Sequence, residues 1–80
     1  MDMTLEEFIE LLQDIKEDVD FENCTTLIDD HVLDSFDILA IVSAADEEFD
    51  VTIPAKEIVP VNFNSAAALC ALIQRLADED

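Results

Sequence analysis

Apolar residues recur at helical spacing in three stretches of this 80-residue chain. The first holds Leu5, Phe8, Ile9, Leu12 and Ile15 on one side and Glu6, Glu7, Glu10 and Asp14 on the other. Steps of three and four residues predict an amphipathic helix with the first set buried. Thr4-Leu5-Glu6-Glu7 reads as a capping box that starts it, with Thr4 as N-cap. The helix is expected to run to about Lys16 or Val19, the early acids suiting its start and Lys16 its far end.

The second stretch runs from Ser35 to about Asp50. Ile38, Ile41, Val42, Ala45 and Phe49 form one stripe, the expected core face. Phe36, Leu39, Ala40 and Ser43 form a second, small and apolar stripe. A helix in so small a protein rarely has core on both sides, so the second stripe is a candidate docking surface. The third stretch carries Ala66, Leu69, Ile73 and Leu76 inward, with Leu72 and Cys70 flanking. Asn64 or Ser65 is its expected N-cap, Ala77 its approximate end, and Asp78 to Asp80 a frayed acidic tail.

Between the first two helices, Asp18 to Asp34 carries Val19, Phe21, Leu27, Ile28, Val32 and Leu33, too many apolar residues for a solvated linker. It reads as an ordered loop closing one end of the molecule, with room for a short helical turn. Val51 to Ile53 reads as extended, and Ala55 to Val59 as one short helical turn stopped near Pro60. The chain has no glycine. Asn23, Asp29, Asp30 and Asp50 are therefore the expected suppliers of left-handed backbone. Nothing reads as a strand or an internal repeat. The expectation is an all-α fold: one domain over residues 1–80, a small four-helix up-and-down bundle with three long helices and one short.

Charge narrows the partners. Twenty-one acidic residues against Lys16, Lys56 and Arg75 give a net charge of −18. Nucleic acid and anionic membrane surfaces both need clustered Lys and Arg, so neither is expected as a partner. Proteins with basic patches are favoured, with fast and salt-sensitive association. Met1 to Glu10 contain no basic and apolar leader pattern, and no apolar run is long enough to span a bilayer. A cytoplasmic monomer is expected. Cys24 and Cys70 then read as free thiols.

The candidate chemistry sits at the start of the second helix. Asp34 is a good N-cap, and Ser35 falls in the first turn, where unpaired N–H groups favour an attached anion. His31, Asp34 and Ser35 raise the possibility of a hydrolytic triad. It is set aside because so small a bundle has little room for a substrate pocket and no Gly-rich elbow surrounds the serine. His31 reads as a solvated loop residue. Asp29, Asp30 and Asp34 do not follow the EF-hand pattern, and no His/Cys cluster has zinc spacing, so no metal site is expected.

Asp34-Ser35-Phe36-Asp37, followed by Asp46-Glu47-Glu48-Phe49-Asp50 and Val51-Thr52-Ile53-Pro54, resembles the acyl carrier protein family over nearly the whole chain. The usual family signature is Asp-Ser-Leu. The resemblance implies 4′-phosphopantetheine attached to Ser35, with Asp34 capping the helix beside it, and an acyl group held as a thioester on the arm. It implies no enzymatic activity. Its implied partners are a phosphopantetheinyl transferase, a loading ligase and downstream acyltransferases with basic patches. Phe36, Asp37, Leu39, Ala40, Ser43, Asp46, Glu47 and Glu48 are the candidate partner contacts.

The sequence departs from carriers of fatty acid synthesis, which usually read Gly-x-Asp-Ser-Leu. Val32 stands for the glycine and Phe36 for the leucine. Ala40 stands where an acid is common, and Ser43 where a larger apolar residue is usual. Leu-Asp-Ser before a bulky residue is also similar to free-standing D-alanyl carriers of cell-wall modification. The cargo is thus acyl or aminoacyl, and an acidic helical adaptor with no prosthetic group is the alternative from a different class. Ala45, on the buried stripe where the family often has leucine, either leaves room for an acyl chain or lets the bundle close.

Overall fold

A computed structural model describes residues 4–79. Four α-helices and a 3-10 turn make up the architecture: α1 Leu5–Ile15, α2 Ser35–Phe49, the 3-10 turn Ala55–Glu57, α3 Pro60–Phe63 and α4 Ala66–Glu79. No strand occurs among the described residues. α1 packs against both α2 and α4, and α3 packs against α4. The result is a small helical bundle around one core, with a radius of gyration of 11.4 Å, as expected for a compact chain of this length.

The core draws on every α-helix. Phe8 and Leu12 of α1, Ile41 and Ala45 of α2, Phe63 of α3, and Leu69 and Ile73 of α4 are buried together. Phe49 brings its ring to 6.4 Å from that of Phe8. Ile38, Val42 and Phe49 are half-buried against this centre, so the core stripe of α2 lies where its spacing put it. Ala45 is buried in the centre, and the clefts described below are lined by other residues. Leu72, expected at the flank of α4, is fully inside, and Leu76 is only half-buried. Leu5 departs from the α1 pattern: it is 41 % exposed, because the first turn begins outside the packed region. Leu11 is half-buried against the core instead.

The helix ends differ from expectation in instructive ways. α1 stops at Ile15, and Lys16 leaves in extended conformation. Thr4 caps it through the Glu7 N–H at 3.2 Å, but the Glu7 carboxylate accepts the Thr4 hydroxyl rather than the backbone N–H. The reciprocal box forms at α2 instead, from Asp34 and Asp37. Pro60 starts α3 rather than stopping a turn over Ala55–Val59. Proline suits the first helical position because its missing N–H would have no partner there. Ser65 caps α4 by accepting the Ala68 N–H at 3.0 Å. Asp78 and Glu79 are helical, not frayed, and Glu79 sits one turn from Arg75. Asp80 lies outside the described residues.

The long loop is ordered, as its apolar content requires. Val19, Phe21, Leu27 and Leu33 are buried. Asn64 fastens it: its carbonyl O accepts the Leu27 N–H at 2.9 Å. Its side-chain Oδ1 accepts the N–H groups of Ile28 at 3.0 Å and Asp29 at 3.1 Å. Its Nδ2 donates to the Asp29 carboxylate at 3.2 Å. Among the described residues, two have left-handed backbone, Asp50 (φ 56°) and His31 (φ 57°). Asp50 was expected. His31 was not, and Asn23, Asp29 and Asp30 have negative φ. His31 closes the turn whose N–H bonds back to the Ile28 carbonyl, a position where histidine is tolerated better than most residues. Both cysteines are free, and burial pushes the Cys70 thiol above its ordinary range.

Candidate functional site

The start of α2 is held by a reciprocal pair. Asp34 is extended, and its Oδ1 accepts the Asp37 N–H at 2.9 Å. Asp37 Oδ2 accepts the Asp34 N–H at 3.1 Å. Ser35 lies between them in the first turn and is exposed. The N–H groups of Ser35 and Phe36 precede the first intrahelical bond, from the Ile38 N–H to the Asp34 carbonyl at 3.0 Å. They therefore have no acceptor within the helix. The local frame presents a hydroxyl to solvent at the positive end of a helix.

A cation steadies this end. Lys16 Nζ lies 2.7 Å from Asp37 Oδ2. That hydrogen bond, then the Asp34 backbone N–H, holds the Asp37 carboxyl below the usual carboxylate range, against the opposing pull of partial burial. The same bond raises the Lys16 ammonium above its ordinary value. Asp37 was expected as an open partner contact, and its carboxylate is engaged inside the chain.

The second stripe of α2 faces water. Phe36 is 80 % exposed and Leu39 62 %. Ser43 is exposed and Ala40 half-buried, with Asp46, Glu47 and Glu48 exposed further along. α3 carries a further exposed apolar residue that sequence reasoning missed, Val61, which is 75 % exposed. The only signal was an apolar residue directly after Pro60. An apolar cleft of about 60 Å³ lies between α2 and α3, lined by Ile28, Ile38, Ile58, Val59, Pro60 and Phe63. Ile38 is one turn on from Ser35, so the cleft opens on the serine's side of α2.

The triad is not assembled. His31 is exposed, and the Asp34 carboxylate is committed to the Asp37 N–H. Among the described residues, no group of three or more His, Cys, Asp or Glu side chains is arranged to hold a metal ion, and no helix is long and apolar enough to cross a membrane. Compared with protein-family models, with curated proteins and with solved structures, the chain matches none.

Proposed function

We propose that the chain is a carrier protein: Ser35 takes 4′-phosphopantetheine from coenzyme A, and the loaded arm is passed between partner enzymes. The arm supplies a terminal thiol on which an acyl group travels as a thioester. The observation that carries the reading is the exposed Ser35 hydroxyl on a doubly capped first turn, beside exposed Phe36 and Leu39. The residues fit the group. Ser35 supplies the oxygen, and the N–H groups of Ser35 and Phe36 face the added negative charge. Lys16 offsets Asp37, and Asp34 keeps its carboxylate on the Asp37 N–H. A small all-helical bundle is compatible with this reading.

Phe36, Leu39, Ala40 and Ser43 give partner enzymes an apolar grip, with Asp46, Glu47 and Glu48 steering their basic patches. The cleft beside Ile38 is lined only by apolar side chains, which favours a hydrocarbon cargo over a charged aminoacyl group. Its volume of about 60 Å³ holds roughly two groups the size of water, enough for the tip of a chain. A D-alanyl-type cargo would instead ride outside the bundle.

Intact mass after incubation with coenzyme A, magnesium and a broad-specificity phosphopantetheinyl transferase tests the proposal. The expected result is a gain of one arm that disappears in Ser35→Ala. No gain, or a gain that survives the substitution, ends the reading and leaves an acidic adaptor whose partner binding is indifferent to Ser35→Ala.

A further inference from the structure

The cations of this chain are few enough to follow one by one. Lys56 and Arg75 line a polar cleft at the C-terminal end of α2, beside Asp50 and Thr52. Arg75 is bonded there to Glu57. Lys16 alone stands at the other end. It leaves α1 and reaches Asp37 Oδ2 at 2.7 Å, across 21 residues of sequence.

That oxygen has two donors, the Lys16 ammonium and the Asp34 N–H. Asp37 also lies on the α1 side of α2 and is half-buried, whereas Phe36 and Leu39 stand in open water. The first turn of a helix frays first, and a side chain free in solvent loses rotamer entropy to act as a cap. Asp37 has already lost that freedom to a charge-assisted bond. The bond anchors the turn to α1, which is itself packed on α4. The residues enclosed by the box are Ser35 and Phe36.

We propose that Lys16 and Asp37 are positioning residues for Ser35, clamping the first turn of α2 to α1 so that the hydroxyl is offered in one orientation. Asp37 thereby belongs to the presentation of the serine and not to the docking face. The proposal rests on the reading of Ser35 as the attachment point. Its cost of failure is a misaligned nucleophile, which slows a transfer that depends on near-attack geometry.

The experiment uses the full chain, coenzyme A and a broad-specificity phosphopantetheinyl transferase, with arm addition followed by intact mass. Lys16→Met and Asp37→Asn each lower kcat/KM about fivefold, and the double variant falls no further, as expected for residues in one bonded network. Lys16→Arg restores most of the rate. Lys56→Met, with the same change in net charge at the far end, leaves it unchanged. A readout independent of the transfer is the Asp34 amide proton shift, followed by NMR as Asp37 titrates. The groups facing this pair are Lys16, Asp34 and, against Lys16, Asp18. In the native chain the component of the Asp34 amide shift that follows Asp37 moves below the usual carboxylate range, and in Lys16→Met at higher pH. Lys16→Gln carries the same comparison if the methionine variant is misfolded by circular dichroism. Additive losses in the double variant would overturn the clamp, as would a Lys16→Met chain with native rate and native amide titration; Asp37 would then act by touching the transferase. If the native chain takes no arm, the carrier reading falls instead, and the Asp34 amide titration alone decides the clamp.

Discussion

Ile41 and Phe36 are large apolar residues on the same helix, and they meet opposite fates. Ile41 is 2 % exposed in the core, whereas Phe36 is 80 % exposed. Five residues separate them, which turns one away from the other by roughly 140° on an α-helix. Burial of a side chain this size is worth about 1.5–3 kcal/mol. The chain takes that gain on one face of α2 and leaves it on the other. In a small domain with little core to spare, an unburied phenylalanine next to an exposed serine marks a surface whose burial waits for a partner, which is the reading proposed above.

The comparison breaks most sharply at the core. Ile41→Asp places a charge among Phe8, Leu12 and Ile73, at a cost of several kcal/mol against a total stability of about 5 kcal/mol or somewhat more. The helical circular dichroism signal should be lost at 25 °C; a folded Ile41→Asp chain would show the core face misassigned. Asn64→Ala comes next. It removes the acceptor of the Ile28 and Asp29 N–H groups and should cost about 1–3 kcal/mol, read as a fall in the denaturant midpoint. Asp34→Ala removes the cap of α2 and should cost about 1 kcal/mol, with faster hydrogen exchange at the Asp37 amide as its local sign. Phe36→Asp should change stability by about 0.5 kcal/mol or less while impairing transfer to Ser35. An unfolded Phe36→Asp chain would erase the contrast between the two faces.

The acid limb of stability sharpens the picture further. Asp37 has a depressed carboxyl in the folded chain. Its contribution is fully present above the usual carboxylate range and is lost as pH falls through its folded value. Lys16→Met brings that loss to higher pH, so native and variant denaturant midpoints converge in strong acid and separate toward neutrality. Parallel curves would mean that the ion pair adds nothing to the folded state.

Much of α2 could be read before the fold was known, because each signal was local. Asp34 is a short acceptor at a helix start, and Ile38, Ile41, Val42, Ala45 and Phe49 repeat at the helical period. What could not be read depended on distance. Lys16 and Asp37 meet across 21 residues, and no pattern within a window links them. Asn64 and Ser65 looked like competing caps. The fold uses both, Ser65 for α4 and Asn64 for the loop. Pro60 was read as a stop and starts α3 instead, since proline is as suited to the first turn of a helix as to its end. Leu5 kept the right period and still lay in water, since periodicity tells which side a residue is on but not how far the core extends.

The bonds from residues 27–29 to Asn64 have a mechanical consequence. They close residues 27 to 64 into a ring with a single clasp. Ser35, the exposed stripe of α2 and Val61 all lie within this ring, while α1 and α4 lie outside it and pack on one another and on the ring, α1 against α2 and α4 against α3. A fluctuation that opens the clasp frees residues 27–29 from the end of α3, while α2 stays packed on α1 and α3 on α4. Local yielding of the long loop is thus gated by one asparagine, without the bundle coming apart.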